Sequence, residues 1–129
     1  MIIEKLKSCD LEYLEEIQCL IQHWKPYSGS ANFREGINKS VEFFKNNKDV
    51  KSIISDTTVL GPSLKKDSDW IAQEINPILI GNGLSKIAFV VPKSAFANLA
   101  VENFKDQSQA VLQVQYAESV ESAKEWIIS

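Results

Sequence analysis

Five apolar residues, Ile87 to Val91, run without a break between Lys86 and Pro92. Their number, their β-branched and aromatic content and the proline stop predict a strand buried on both faces, the middle of a sheet. The first 24 residues fit two periods. Leu11, Leu14, Ile17, Ile21 and Trp24 have helical spacing, while Ile17, Cys19 and Ile21 alternate with Gln18 and Gln22. The β-branched content and the stop at Pro26 favour two antiparallel strands, about Ile3 to Leu14 and Ile17 to Trp24.

Turn formers fill Lys25 to Ser30, and Ser30 is placed to cap a first helix running to about Asn47. On that helix Phe33, Gly36, Ile37, Val41, Phe43 and Phe44 share a side. Val50 to Ser55 reads as the next strand, closing on Asp56-Thr57-Thr58, with Gly61-Pro62 in the loop to Ser63. A second helix follows from about Leu64 to Ile80, with a core arc of Ile71, Ala72, Ile75, Ile78 and Leu79, and with Trp70 on its flank. Pro77 predicts a break in its hydrogen bonding, and Gly81-Asn82-Gly83 its end.

Beyond the central strand, Ser94 can cap a third helix, Ala95 to Phe104, whose apolar residues spread over roughly 240° of its circumference. That arc is either a deeply buried helix rich in alanine or a surface for an apolar ligand or partner. Val111 to Tyr116 alternates apolar residues with Gln113 and Gln115, as an edge strand does, and Ser119 caps a closing helix carrying Val120, Ala123, Trp126 and Ile127. Strand and helix alternate from residue 17 with short connections, which implies parallel strands joined by right-handed crossovers. The expected fold is α/β: a single mostly parallel sheet with an N-terminal antiparallel hairpin and four helices.

Composition narrows the class. The chain has 129 residues, 44% apolar and 24% charged, which suits one folded domain over residues 1–129. A net charge of −3, with scattered Lys and Arg, argues against nucleic acid and anionic membranes as partners. The N-terminus has no signal-peptide pattern and no apolar run approaches the ~20 residues of a membrane span, so a cytoplasmic location is expected. Cys9 and Cys19 read as reduced thiols, because a metal site would need both of them, His23 and a carboxylate to converge. No metal and no cofactor are expected. The glycosylation pattern Asn38-Lys39-Ser40 falls on the first helix and is discounted.

The run from Trp70 through WIAQEINPILIGNGLSKIAFVVPKSAFANLAVENF to VQYAESVESAKEWI, with Phe33-Arg34-Glu35-Gly36, Ile53-Ile54-Ser55-Asp56 and the strand ending in Trp24, resembles the SpoIIAA-like proteins of the STAS (sulfate transporter and anti-sigma factor antagonist) superfamily. The likeness is strongest from Trp70 to Trp126. It implies a βα superhelix with strands successive in the sheet and helices mainly on one side. Relatives include bacterial regulators that bind a kinase or sigma-factor partner and are switched by phosphorylation of a serine in Asp-Ser-Ser-Gly. Here Asp67-Ser68-Asp69-Trp70 stands near that place, with Asp69 and Trp70 where serine and glycine would be. The resemblance thus offers Ser68 as a phosphorylation candidate, with Thr57 and Thr58 behind it; the other reading of Ser68 is a plain first-turn serine. Related domains are linked to lipid or small-ligand binding.

No catalytic constellation is visible. His23 is the only histidine, and Glu15-Glu16 and Asp67/Asp69 read as turn and first-turn charges. In a parallel α/β sheet, ligands bind beyond the carboxyl ends of the strands. Those ends gather Trp24, Lys25, Asp56, Thr57 and Lys93, with Trp70 leaning in and Phe96 and Leu99 on the third helix. The leading expectation is a non-enzymatic module that binds a protein partner or a small apolar, lipid-like ligand there. The alternatives are a phosphorylation-switched regulator and an enzyme using Asp56 and Lys93, perhaps with His23. The same apolar arc could serve a homodimer.

Overall fold

The computed structural model describes residues 1–62, 64–104 and 110–129; Ser63, the expected end of one loop, lies outside them. Six strands form one sheet in chain order: β1 (Ile2–Lys5), β2 (Cys9–Leu14), β3 (Cys19–Trp24), β4 (Ser52–Asp56), β5 (Lys86–Val90) and β6 (Gln113–Ala117). β1, β2 and β3 pair antiparallel, and β3 through β6 pair parallel. β5, the apolar run, is an interior strand and β6 an edge, as expected.

The N-terminal region differs from expectation in one respect. Ile3 to Leu14 is not one strand but a hairpin, closed by a turn in which the Leu6 N–H donates to the Cys9 carbonyl at 2.9 Å. That turn, Leu6-Lys7-Ser8, contains neither glycine nor proline, and Ser8 alone announces it only weakly. The next strand starts at Cys19 instead of Ile17, because a tight turn over Glu15–Ile17 and Gln18, at φ 53°, reverses the chain.

Four helical units cover the sheet. α1 spans Ser30–Asn46. Ser30 is its first helical residue and not its cap; Gly29 takes the cap position, and the Ser30 hydroxyl is engaged elsewhere. The second unit is α2 (Lys65–Trp70), a wide π-helical turn (Ile71–Ile75) and α3 (Asn76–Gly81). Pro77 accounts for the wide turn: it has no N–H for the Gln73 carbonyl and its ring crowds that carbonyl, so regular bonding fails just upstream. There the Asn76 N–H reaches back five residues to the Ile71 carbonyl. The turn re-aims the helix face. Ile75 and Leu79 are buried, but Ala72 and Ile78 of the expected core arc are exposed. Gly83, at φ 112°, closes the unit, a conformation open to glycine at little cost.

The third unit is α4 (Lys93–Leu99), extended by a 3-10 segment (Ala100–Phe104). Its cap position is Pro92, not Ser94, and no residue of α4 is buried, so its wide apolar arc is not a deeply buried helix. Behind it, the Asn103 amide mimics a strand: Tyr116 N–H donates to Asn103 Oδ1 at 2.8 Å, and Asn103 Nδ2 donates to the Tyr116 carbonyl at 2.9 Å. This pairing blunts the free edge of β6. α5 (Val120–Ile127) closes the chain, capped as expected by Ser119, whose Oγ accepts from the Ser122 N–H at 3.1 Å. No helix among the described residues is long and apolar enough to cross a membrane.

The two sheet faces carry separate cores. Leu11, Leu20 and Ile53 meet α1 and the α2–α3 unit on one face; Cys19, Ile21, Ile54, Ala88 and Val90 meet α5 on the other. α1 lies close because of Gly36, where a Cβ would sit 2.9 Å from Cys9 Sγ and Ser8 Oγ and 3.0 Å from the Trp24 ring. The expected burial of β5 on both faces is corrected: Ala88 and Val90 are buried under α5, while Ile87 and Phe89 on the other face are only half-buried.

Candidate ligand-binding site

Ile87 and Phe89 are half-buried because they line a cavity of about 500 Å³ between the sheet and the helices of its first face. Alternate residues of successive strands form the floor: Gln22 and Trp24 on β3, Ile53 and Ser55 on β4, Ile87 and Phe89 on β5, Val114 on β6. Phe33, Ile37 and Ser40 of α1 make one wall, and Ile71, Ala72, Ile75 and Leu79 of the second helical unit make the roof. Thr57, Leu60 and Pro62 rim it at the carboxyl end of β4, and Ser68 and Ala72, both exposed, stand at its opening. The volume falls within the usual range for small-molecule sites.

A directional hydrogen-bond network crosses the floor. The Trp24 indole N–H can only donate, and it lies 3.2 Å from Gln22 Oε1 and 3.0 Å from Ser55 Oγ. This fixes the Gln22 amide with its nitrogen toward Ser40, to which Nε2 donates at 3.0 Å. Ser40 in turn donates to the Gly36 carbonyl at 3.0 Å. Gln22 and Ser55 are each only 4% exposed, so their polar atoms are committed to the interior. Phe33 stacks on Trp24 with ring centroids 4.8 Å apart and holds the indole in place.

A polar latch joins wall to roof. Asp67, in the first turn of α2, is fully buried and accepts from Ser30 Oγ at 2.6 Å, Arg34 Nε at 3.0 Å and the Tyr27 hydroxyl at 3.3 Å. Burial pushes this carboxyl up, but the three donors and the Arg34 charge outweigh it and hold it below the usual carboxylate range. Asp67 is therefore not the solvated first-turn charge the sequence suggests. The Arg34 guanidinium also sits 4.5 Å from the centre of the Trp70 ring, so Trp70 packs on the latch instead of leaning into the cavity.

Of the residues expected at the strand ends, Trp24 and Thr57 line the cavity. The Thr57 hydroxyl donates to the Val90 carbonyl at 2.8 Å and ties β4 to β5. Lys25 lies 3.2 Å from Asp10 Oδ1, an ion pair without hydrogen-bond geometry, and donates to the Leu6 carbonyl at 2.7 Å. Asp56 accepts from the Thr58 N–H and hydroxyl in a local turn. Lys93 is exposed, Phe96 and Leu99 are half-buried on α4, and none of the three lines the cavity. The site lies under the helices and not on the rim above the strands. Sequence reasoning missed Gln22, Ser40, Ser55 and the Arg34–Asp67 pair; the one available signal was polar residues inside strands assigned to the sheet interior, which demand buried partners.

Cys9 and Cys19 are both free and fully buried, in the cores of opposite sheet faces, and burial pushes both thiols up to about 11. They do not converge with His23, whose Nε2 lies 2.8 Å from Glu12 Oε1. Among the described residues no group of three His, Cys, Asp or Glu could hold a metal ion. Ser40 of the glycosylation pattern is itself fully buried. No protein-family model matches the chain, and neither a curated protein nor a solved structure does.

Proposed function

We propose that this domain is a non-enzymatic binding module that takes a small apolar ligand into the cavity between the sheet and the α1 and α2–α3 helices. One observation carries the reading: a space of about 500 Å³, walled mainly by apolar side chains, lies inside a sheet-and-helix sandwich that would otherwise close on itself. Strands successive in the sheet also support the SpoIIAA-like reading of the chain.

Titration with aminoanthracene, a neutral fluorophore, tests the proposal. Saturable binding at one site per chain is expected, weakened at least tenfold in Ala72→Trp, where an indole blocks the opening. Absence of saturable binding by the wild type would remove the proposal. A second reading is favoured by one position: Ser68 is exposed at that same opening, beside an aspartate already neutralised by Arg34. Phosphate added there would alter ligand entry, the regulatory switch of the SpoIIAA-like resemblance acting on this site. Intact mass after incubation with candidate kinases, compared with Ser68→Ala, checks it; an unchanged mass in the wild type counts against the switch.

A further inference from the structure

We infer that the ligand is an uncharged amphiphile carrying a hydrogen-bond acceptor, such as a ketone, ester or amide carbonyl, read by Ser55 and Gln22. This rests on the binding-module reading above and names the chemical class that the site takes.

Two observations carry it. First, every described residue lining the cavity is apolar or neutral; no Lys, Arg, His, Asp or Glu is among them. An ionised headgroup drawn inside would lose its hydration without a counter-charge, a cost no neutral hydrogen bond offsets. Second, the floor network leaves donors over. Trp24 donates to both Ser55 Oγ and Gln22 Oε1, and Gln22 gives one N–H to Ser40. A hydroxyl carries one proton and a primary amide two N–H groups, so the Ser55 O–H and the second Gln22 N–H have no protein acceptor among the described residues. Both side chains are 4% exposed and line the cavity.

Buried donors left over in this way call for an acceptor from the ligand. The acceptors on the floor are already used by Trp24, so an added donor, as in an alcohol, gains less than a carbonyl. At about 30 Å³ for a water-sized group, the cavity holds roughly fifteen non-hydrogen atoms. One carbonyl on a medium-length hydrocarbon chain satisfies both size and chemistry.

The experiment displaces bound aminoanthracene from the intact chain with three probes of similar length: methyl decyl ketone, dodecane, and dodecanoate at neutral pH. The ketone is expected to bind about tenfold more tightly than either of the others, one hydrogen bond's worth of discrimination. In Ser55→Ala the ketone-to-dodecane ratio should fall toward one. Trp24 keeps Gln22 Oε1 in that variant, so the indole is not orphaned. Ser55→Thr, which retains the hydroxyl, should restore the ratio. Independently of any variant, the infrared carbonyl band of the bound ketone should move to lower wavenumber than in alkane solution.

Tightest binding by dodecanoate would overturn the uncharged class. Equal binding of ketone and dodecane, or an unshifted carbonyl band, would overturn the acceptor assignment while leaving the cavity as a binding site. A wild type that never binds aminoanthracene would overturn both this inference and the reading beneath it.

Discussion

The two faces of the sheet share one backbone but meet their helices differently. Under α5, Ala88, Ala117 and Ala123 bring helix and sheet together, and Cys19, Ile21, Ile54, Val90 and Ile127 complete a closed core. Across the sheet, Trp24, Phe33 and Phe89 and the rearranged turn of the α2–α3 unit hold the roof off the floor, and a cavity remains. Small residues opposite one another close a layer; large ones propped by aromatic stacking and a helix defect keep it open. The cavity here is a property of side-chain size on alternate strand positions, not of the fold.

Neighbouring residues of one strand give the sharpest test. Ile53 and Ile54 are 1% and 0% exposed and point to opposite faces. Ile54→Ala leaves a new void in a closed core and should cost about 4 kcal/mol, whereas Ile53→Ala enlarges an existing one, with fewer packing contacts to lose, and should cost about 2 kcal/mol. Urea denaturation of both variants decides it; equal losses would mean the two faces are packed alike. The converse substitution comes next in size. Ala88→Leu overpacks the closed face and should destabilise by about 3 kcal/mol, while Ala72→Leu, beside the cavity opening, should stay within about 0.5 kcal/mol of wild type in the same assay.

This asymmetry bears on what the chain reveals before folding. The mostly parallel sheet with its N-terminal hairpin and the four helical units were legible because the IAFVV run, the β-branched strands and the glycine and proline stops act locally; the successive order of the strands was implied only by the family resemblance. The Leu6-Lys7-Ser8 turn was not, since its single serine, without glycine or proline, is too weak a turn signal to break the strand pattern. Trp24 and Thr57 could be named as site residues because they end strands. Gln22 could not: alternation in the sequence marks it only as the polar half of a strand, and its burial comes from helices on one face and strands on both edges, which no local pattern encodes. The Arg34–Asp67 pair links residues 33 positions apart, beyond any local period. The wide arc of α4 was visible as a pattern, but small alanines on its circumference left the pattern uninformative about depth of burial.

The latch shows how an open layer is held. α5 is fixed by close packing and its Ser119 cap, but the roof helix has a cavity beneath it and is tied at its start by Asp67. Arg34→Met should therefore destabilise the protein at neutral pH by about 2 kcal/mol, less than the removal of a fully enclosed partner because the Arg34 side chain is 34% exposed. The pH dependence follows from the sign of the shift. Asp67 is held below its unfolded value in the folded state, so its contribution is present above the usual carboxylate range and is lost as pH falls through the depressed folded value. Without Arg34 that depression shrinks, and the gap between variant and wild type should narrow steadily as both are titrated from neutral toward acid. Asp67→Asn should flatten the same part of the wild-type profile. Urea midpoints measured at intervals from neutral to acid follow all three proteins, and a gap that stayed constant with pH would show that Arg34 acts through its stacking on Trp70 and not through the buried carboxylate.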